Sequence, residues 1–417
     1  MLGSMLLVTL LVGSVTAGTV PAEEIKPAAP AAADVLVPRG AYEAARQLAA
    51  EQQRQSTSDS SSGGLSWLRQ NSVSEAFSVL FPVSGLDPLI CKTTNDDNYN
   101  AGICLRVTDC LYYRGESFGA CGGGIGSCCV FAKKCGETTD MFISHFVSST
   151  FSSVDKGSGE CKLTVNPMNS NICQYRLDFD AFSIIGPDAS SNCVDDFFGV
   201  TGGSYTPKVC GDLTGQHMYI NVKPGGGPIV LTMDTSSVRT MGRKWDIKIT
   251  QISCNSPDRA PAGCLQFFNE TSGSVKSFNF RRQNAFIAGE GPGELQNMNY
   301  GVCINSKVGY CDVTWNQNPR SDFTFTISGD ASVPSEQFTS KSGTTECTSD
   351  FITIPGGYVE TDARTTRPAE RFCGTKFPEV KTASQPYTLH VVTDVDEEGD
   401  KENFGFELNF RQNLCNS

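Results

Sequence analysis

The cysteines constrain this chain more than any other feature, because all 18 lie after residue 90 of a 417-residue sequence. An even number of cysteines is typical of a disulfide framework formed in an oxidising compartment. Zinc is the alternative, but zinc sites usually contain Cys-x-x-Cys pairs, and the sequence contains none. We therefore expect domains that are held by disulfides outside the cytosol.

The amino-terminal residues predict secretion. An apolar stretch runs from Met5 to Val15, and small residues follow up to Ala17, so residues 1–17 are interpreted as a signal peptide cleaved before Gly18. The alternative is a membrane anchor, but the stretch is short for a bilayer span, and no later run reaches the length of about 18 apolar residues that a span needs. We expect the mature protein to be secreted, without a membrane span.

Residues 18–90 are interpreted as a flexible leader or pro-segment, because Ala, Pro, Ser and Gln dominate them and no cysteine is present. The pair Arg39-Gly40 is a potential cleavage site for a trypsin-like protease. The alternative is an Arg-Gly pair that occurs in a linker by chance.

Residues 91–136 predict a small disulfide-rich module. Seven cysteines lie between Cys91 and Cys135, and the segment around them is rich in glycine. A segment this small buries too little apolar surface to fold without covalent links.

From Cys161 onward, apolar residues alternate with polar ones at the period of a half-buried strand. Gly- and Pro-rich turns separate the strands, which favours an all-β sandwich. Pro257 and Pro261 interrupt the pattern between Cys254 and Cys264. The apolar positions are Tyr175, Leu177 and Phe179; Trp245, Ile247 and Ile249; Phe323, Phe325 and Ile327; and Phe404, Phe406, Leu408 and Phe410.

One sequence motif occurs twice in the chain. The stretches Cys193–Gly211 and Cys347–Gly374 both begin with Cys-x-x-Asp-Phe, pass through a Gly-Gly pair and end on Cys-Gly. The repeat indicates two copies of one sandwich domain, which we place at residues 155–254 and 255–417.

The repeated motif resembles the second disulfide loop of CUB domains, which are extracellular antiparallel β-sandwiches of jelly-roll type. The resemblance implies disulfides between Cys193 and Cys210 and between Cys347 and Cys373. It also implies that Cys161 pairs with Cys173. The whole chain resembles secreted arthropod proteins in which a clip-like cysteine module precedes two CUB domains. The second copy departs from the pattern in its extra cysteines, which are Cys254, Cys303, Cys311 and Cys415.

If Cys254, at the boundary, is counted with the second copy, the cysteine counts of the three parts are seven, four and seven, so two parts hold an odd number. If all are oxidised, a bridge joins the amino-terminal module to the carboxy-terminal domain, or each leftover cysteine pairs with another chain. We favour the intramolecular bridge.

The CUB resemblance also implies a calcium site at Asp188, Asp196 and Asp234 of the first copy. Calcium takes about six to eight oxygen ligands, and carboxylates on neighbouring loops suit it. In the family, such a site presents carboxylates to a Lys or Arg of the partner. The alternative is that these aspartates hydrogen-bond their own turns. In the second copy only Asp350 and Asp394 match, because a serine stands at position 342.

The sequence favours a protein that is not an enzyme. It has three histidines and no Gly-x-Ser-x-Gly, His-Glu-x-x-His or phosphate-binding loop motif. The net charge of −12 makes nucleic acid an unfavourable partner and basic partners or cations favourable ones. The sequon at Asn269 predicts glycosylation on an exposed loop.

These features predict a secreted, non-enzymatic protein that binds a protein or glycan outside the cell, with calcium as a potential cofactor. Two alternatives stay open. One is a regulator of extracellular proteolysis that acts through the clip-like module, and the other is a disulfide-linked component of matrix or cuticle.

Overall fold

The structure is a computed structural model that describes residues 90–94, 99–151, 155–157, 159–239, 241–280, 293–318, 322–330, 332–360, 366–395 and 402–415. The predicted signal peptide, almost all of the leader and Arg39 lie outside the described residues. Part of the acidic loop after Asp394 lies outside them too. None of the helices in the described ranges is long and apolar enough to cross a membrane.

The described chain begins with a four-stranded module in the order β1-β2-β4-β3. Three disulfides link it internally, namely Cys91–Cys128, Cys104–Cys121 and Cys110–Cys129. Its elements are β1 (Ile90–Cys91), β2 (Gly102–Leu105), α1 (Val107–Tyr112), β3 (Glu116–Cys121), a short 3-10 turn (Gly122–Gly124) and β4 (Gly126–Val130).

The first sandwich consists of a four-stranded sheet, in the order β10-β12-β8-β6, and a five-stranded sheet, in the order β11-β9-β13-β7-β5. Only the short β5 and β6 pair parallel to their neighbours among its described strands. The strands are β5 (Ala132–Lys133), β6 (Thr138–Thr139), β7 (Ile143–Val147), β8 (Gly159–Val165), β9 (Ile172–Ser183), β10 (Phe197–Thr201), β11 (His217–Asn221), β12 (Ile229–Thr235) and β13 (Lys244–Ser253).

The second sandwich contains a sheet in the order β14-β16-β25-β20-β23-β19 and a sheet in the order β15-β26-β17-β24-β21-β22, with β18 paired to β26. The strands are β14 (Cys264–Phe268), β15 (Ser272–Lys276), β16 (Asn299–Ile304), β17 (Tyr310–Gln317), β18 (Phe325–Thr326), β19 (Ser340–Ser342), β20 (Phe351–Thr353), β21 (Tyr358–Glu360), β22 (Thr366–Pro368), β23 (Arg371–Gly374), β24 (Val380–Thr382), β25 (Tyr387–Val392) and β26 (Gly405–Leu414). Short 3-10 turns lie at Asp322–Thr324 and Ser335–Gln337.

The alternating residues form the core between the sheets, as their period predicts. Tyr175, Leu177 and Phe179 on β9 are completely buried. Leu163 on β8 and Leu231 on β12, from the opposite sheet, belong to the same apolar cluster. The prediction for Phe323 to Ile327 is wrong in part, because only Phe325–Thr326 forms a strand and Phe323 lies in a 3-10 turn.

The predicted start of the first sandwich at residue 155 is too late. β7 pairs with the central strand β13, from Asp246↔Val147 to Thr250↔Ile143, so residues 143–147 are an integral part of the five-stranded sheet. The sequence pattern did not predict β7, because all five of its residues are buried and polar residues do not alternate with apolar ones along it.

The expected pairing of Cys161 with Cys173 is also wrong. Cys161 bonds to Cys135, and Cys173 bonds to Cys254. The observed partners are the cysteines on neighbouring segments. The chain after Cys135 runs beside β8, where Gly136 donates its N–H to the carbonyl oxygen of Lys162, and Cys254 directly follows β13, the neighbour of β9. The pairs Cys193–Cys210 and Cys347–Cys373 form as the resemblance implies.

All 18 cysteines pair within the chain. The bridge Cys135–Cys161 links the disulfide-rich module to the first sandwich, and Cys173–Cys254 closes that sandwich. The prediction that the cysteines pair within the chain is therefore confirmed. The predicted bridge from the module to the carboxy-terminal domain is wrong, because Cys135 of the module bonds to Cys161 of the first sandwich instead. The remaining pairs, Cys264–Cys303 and Cys311–Cys415, lie in the second sandwich.

Candidate functional site: a buried arginine and an open groove

The loops at one end of the first sandwich converge on a buried ion pair. Asp196 directly precedes β10, and Arg243 directly precedes β13. Arg243 donates from Nε to Asp196 Oδ2 at 2.6 Å and from Nη2 to Asp196 Oδ1 at 2.9 Å. Both side chains are completely buried. This bidentate geometry is the strongest arrangement that a guanidinium and a carboxylate form.

The remaining nitrogen of Arg243 binds the backbone of the surrounding loops. Nη1 donates to the carbonyl oxygens of Lys156 and Arg239, both at 2.9 Å, and to that of Met241 at 3.1 Å. Asp196 also accepts the backbone N–H of Ile185 at 3.0 Å. One arginine therefore connects the loop before β8, the loop before β10 and the loop before β13.

The other two aspartates of the predicted calcium site hydrogen-bond their own turns. Asp188 Oδ1 accepts the backbone N–H groups of Ser190 and Asn192, at 2.9 and 3.0 Å. Asp234 Oδ1 accepts the backbone N–H of Ser236 at 3.0 Å.

These three carboxylates do not fit a calcium ion. Both oxygens of Asp196 face a cation that the chain itself provides, and a second cation there would be repelled by the guanidinium. Of the described residues, only His145, Asp180 and Asp246 bring three potential metal-ligand atoms within 4.8 Å of one another. The aspartates predicted from the resemblance therefore do not converge.

In the second sandwich, Asp350 occupies the position that Asp196 has in the repeated motif, and it has a different hydrogen-bond donor. Asp350 is 2% exposed and accepts the backbone N–H of Asp394 at 2.7 Å. The two residues that match the calcium pattern in this copy thus meet through a backbone hydrogen bond.

A groove of about 890 Å³ lies along the outer face of the four-stranded sheet of the first sandwich. Tyr205 and Val194 line it and are 74% and 65% exposed. The Nζ of Lys208 lies 4.0 Å from the ring centroid of Phe197, which is also in the lining. The floor includes outward-facing side chains of the sheet, among them Lys162, Val230 and Thr232.

The second sandwich contributes the opposite wall of the groove, at residues 295–298. The backbone N–H of Gln296 donates to the carbonyl oxygen of Ser191 at 3.1 Å, and that of Asn297 donates to the carbonyl oxygen of Asp394 at 2.9 Å. The wall is thus hydrogen-bonded to both sandwiches. Sequence reasoning missed this groove because its two sides are far apart in the chain.

Two of the three histidines have structural hydrogen bonds. His217 Nε2 accepts the backbone N–H of Phe267 at 3.0 Å, across the contact between β11 and β14. Burial, together with the charge of Arg176, lowers the pKa of His217 to about 4. His217 therefore stays neutral at physiological pH and joins the two sandwiches.

Asn269 of the predicted sequon is exposed, directly after β14. Its side-chain oxygen accepts hydrogen bonds from Asn305 and Lys307. Its position on the surface suits the predicted glycosylation, which stays a prediction.

The sequence profile of the animal CUB domain matches residues 261–413. The matched range covers the second sandwich, which is the copy with the extra cysteines. No curated protein sequence matches this chain significantly.

Several solved structures resemble the chain. The CUB1-EGF-CUB2 domains of rat MASP-1 are 14% identical, with 66% of this chain and 99% of that one covered and a TM-score of 0.23. The same domains of human MASP-1/3 are 15% identical over 66% and 100%, with a TM-score of 0.23. The extracellular region of zebrafish Gpr126/Adgrg6 is 11% identical over 69% and 37%, with a TM-score of 0.22. The profile match therefore identifies a CUB domain at residues 261–413.

Proposed function

We propose that this chain, whose residues 261–413 match the animal CUB domain, is a secreted, non-enzymatic protein that binds another extracellular protein through the groove. CUB domains are extracellular protein-interaction domains. The observation that carries the proposal is the open groove with Tyr205 and Val194 at its surface.

The composition of the groove supports a protein partner. Exposed tyrosines such as Tyr205 are among the residues that most often anchor protein interfaces. The volume of about 890 Å³ is sufficient for several side chains of a partner. Its lining combines Tyr205, Phe197 and Val194 with hydrogen-bonding groups such as Thr232 and Gln296, which suits a peptide segment with both apolar and polar groups.

Binding by the first sandwich requires no calcium in this proposal. Calcium in a CUB loop orders the backbone and neutralises buried carboxylates. Arg243 provides both effects here, because it neutralises Asp196 and donates to three loop carbonyls. The melting temperature of the first sandwich is therefore expected to be the same in millimolar calcium and in a chelator. A higher melting temperature in calcium that an equal concentration of magnesium does not reproduce would contradict this part.

A partner that presents Lys or Arg is favoured by the net charge of −12, which attracts basic proteins over long distances. Asp196 is not the residue that would meet such a side chain, because it is completely buried against Arg243. The half-exposed Glu160, at the edge of the groove, is the available carboxylate there, with Lys162 as its present partner at 2.6 Å.

The two buried histidines, His145 and His217, support a non-enzymatic role. His217 uses Nε2 to accept a backbone N–H, and both ring nitrogens of His145 lie within hydrogen-bond distance of an oxygen. Neither imidazole is available as a general base in this arrangement. The complete internal pairing of the cysteines speaks against the disulfide-linked matrix component, since no thiol is left for another chain.

The test is capture of partners by the immobilised secreted chain from the extracellular fluid of its organism. Tyr205→Glu places a charge in the groove, and Val308→Glu is the control, because Val308 is fully exposed and outside the lining. A protein retained by the wild type and the control, and bound at least about tenfold more weakly by purified Tyr205→Glu, supports the proposal. Equal binding by both variants overturns it, as does binding that disappears when the partner is enzymatically deglycosylated.

A further inference from the structure

His145 lies at a buried junction between the disulfide-rich module and the first sandwich. It is on β7, and its Nδ1 is 2.9 Å from Asp246 Oδ1 on the neighbouring strand β13. Both side chains are completely buried. Its Nε2 is 3.0 Å from the carbonyl oxygen of Ala101, in the segment before β2.

These contacts place the imidazole between two hydrogen-bond acceptors. A neutral imidazole carries one N–H, and the carbonyl oxygen of Ala101 accepts only from a protonated Nε2. The lone pair of Nδ1 then faces the carboxylate of Asp246, which is unfavourable unless a cation or a second proton lies between them. A histidine that binds a metal ion typically donates its other N–H to a backbone carbonyl in this way.

Asp180 completes the cluster from a β-bulge in β9. Ala181 pairs with Asp246 and Phe179 pairs with Ile247, so Asp180 is the extra residue between these pairs. Bulges redirect a side chain and are frequent beside functional sites. A nitrogen of His145 and one carboxylate oxygen each of Asp180 and Asp246 lie within 4.8 Å of one another.

The cluster contains two buried carboxylate oxygens without a partner. Within the described residues, Asp246 Oδ2 and Asp180 Oδ2 have no hydrogen bond. Asp246 is 0% exposed. A buried carboxylate oxygen without a donor is costly, and a metal ion between these oxygens removes that cost. The side chain of Asn100 hydrogen-bonds Asp180 and so restricts its orientation.

We propose that His145, Asp180 and Asp246 bind a divalent transition-metal ion of the zinc type. One imidazole and two carboxylates are a ligand set that suits zinc, with a fourth position for water. Calcium is disfavoured, because it prefers oxygen ligands alone and more of them. Asp180 is half-buried, whereas His145 and Asp246 are completely buried.

The site has a structural consequence for the junction. Ala101 belongs to the module, whereas all three ligands belong to the first sandwich. A metal at Nδ1 keeps the proton on Nε2, and that proton binds the module through the carbonyl oxygen of Ala101. The metal therefore strengthens the hydrogen bond between the module and the first sandwich. The Cys135–Cys161 bridge joins the same two parts covalently.

The test is metal analysis of the full secreted chain after exposure to zinc and dialysis. Asp180→Asn removes the ligand that is only half buried, so the variant is expected to fold. Asp178→Asn is the matched control, two residues earlier on β9, where Asp178 pairs with Arg176 and Lys248 instead. We expect one zinc per chain in the wild type and in the control, and at least about a tenfold weaker affinity in Asp180→Asn.

A second measurement, the absorption spectrum of the cobalt-loaded wild type, does not depend on the folding of any variant. Cobalt added to the wild type is expected to give the visible absorption bands of a four- or five-coordinate ion with nitrogen and oxygen ligands, whereas calcium is expected not to displace it. Zinc retained equally by Asp180→Asn, or no zinc retained by the wild type, overturns the proposal. The cluster would then be a hydrogen-bonded ion pair of His145 and Asp246.

Discussion

The two sandwiches place an aspartate three residues after a cysteine and bury it, but they satisfy its charge with different groups. In the first sandwich, Asp196 binds the guanidinium of Arg243 through both oxygens. In the second, Asp350 accepts the backbone N–H of Asp394 at 2.7 Å. The disulfides that follow have similar spans, with Cα–Cα distances of 5.7 and 5.6 Å.

This difference shows what the shared Cys-x-x-Asp-Phe motif specifies. The Cys-x-x-Asp-Phe element positions a carboxylate inside the loop end of a sandwich, where it needs a donor or a cation. The element does not specify which one. An arginine 47 residues away binds the carboxylate in the first copy, and a backbone N–H 44 residues away donates to it in the second. Four predictions test this comparison, from the largest expected effect to the smallest.

Arg243→Met is expected to have the largest effect. It leaves the carboxylate of Asp196 buried without its counter-charge and removes donors from three loop carbonyls. Breaking a buried pair on one side typically costs about 3–5 kcal/mol, and we expect a decrease of that size in the free energy of unfolding of the first sandwich. Urea denaturation of the secreted chain measures it. The double variant with Asp196→Leu should recover part of the loss, and a single-variant loss below about 1 kcal/mol, as for a surface pair, would contradict the interpretation.

Acidification should weaken the contact between the sandwiches through His217. Its folded pKa is about 4 and its unfolded pKa is 6.5, so the unfolded state binds the proton first as the pH falls. Stability contributed by the neutral histidine is present above pH 6.5 and is lost towards pH 4, by on the order of 3 kcal/mol.

The measurement is the free energy of unfolding as a function of pH. His217→Gln should remove this part of the pH dependence, whereas His390→Gln, on an exposed position of β25 in the second sandwich, should retain it. A pH profile that is the same for wild type and His217→Gln would exclude His217 as its source.

Asp350→Ala should destabilise the second sandwich by about 2 kcal/mol, because the hydrogen bond that the backbone N–H of Asp394 donates to its carboxylate is lost. We expect a smaller effect than for Arg243→Met, since the substitution removes the buried carboxylate itself and does not strand it. Calorimetric melting checks it, with Glu346→Ala as the control, an exposed carboxylate four residues earlier. A loss that equals or exceeds that of Arg243→Met would reverse the comparison between the two copies.

Arg239→Met should have the smallest effect. Arg239 pairs with Asp195, next to Asp196, at 2.9 Å, but both side chains are 31% exposed. Water screens such a pair, so we expect a loss of about 0.5 kcal/mol or less. Thermal melting in low and high salt measures it, and a loss as large as that of Arg243→Met would mean that burial is not what separates the two arginines.

Much of the fold was predictable from residues close together in the chain. The alternation of Tyr175, Leu177 and Phe179 predicted a half-buried strand, and the structure buries all three. The repeated cysteine motif predicted two sandwiches, and its resemblance to CUB domains implied the disulfides Cys193–Cys210 and Cys347–Cys373, which the structure contains.

The candidate sites were less predictable. The sequence pointed to Asp196 as a charged group of the loop end but not to Arg243, which is one of 33 lysines and arginines and carries no local signal. The histidine cluster was missed for the same reason, because His145 and Asp246 are 101 residues apart and meet only because β7 pairs with β13.

The sequence by itself therefore determined the strands, the two repeated disulfide loops and the duplication of the sandwich. Side-chain period and cysteine spacing act over a few residues, and each carries its own signal. The tertiary structure alone decided that Cys161 bonds to Cys135, that Arg243 neutralises Asp196 and that residues 295–298 form a wall of the groove. These outcomes depend on which strands become neighbours in a sheet, and strand order is set by the packing of the whole core, which no local pattern records.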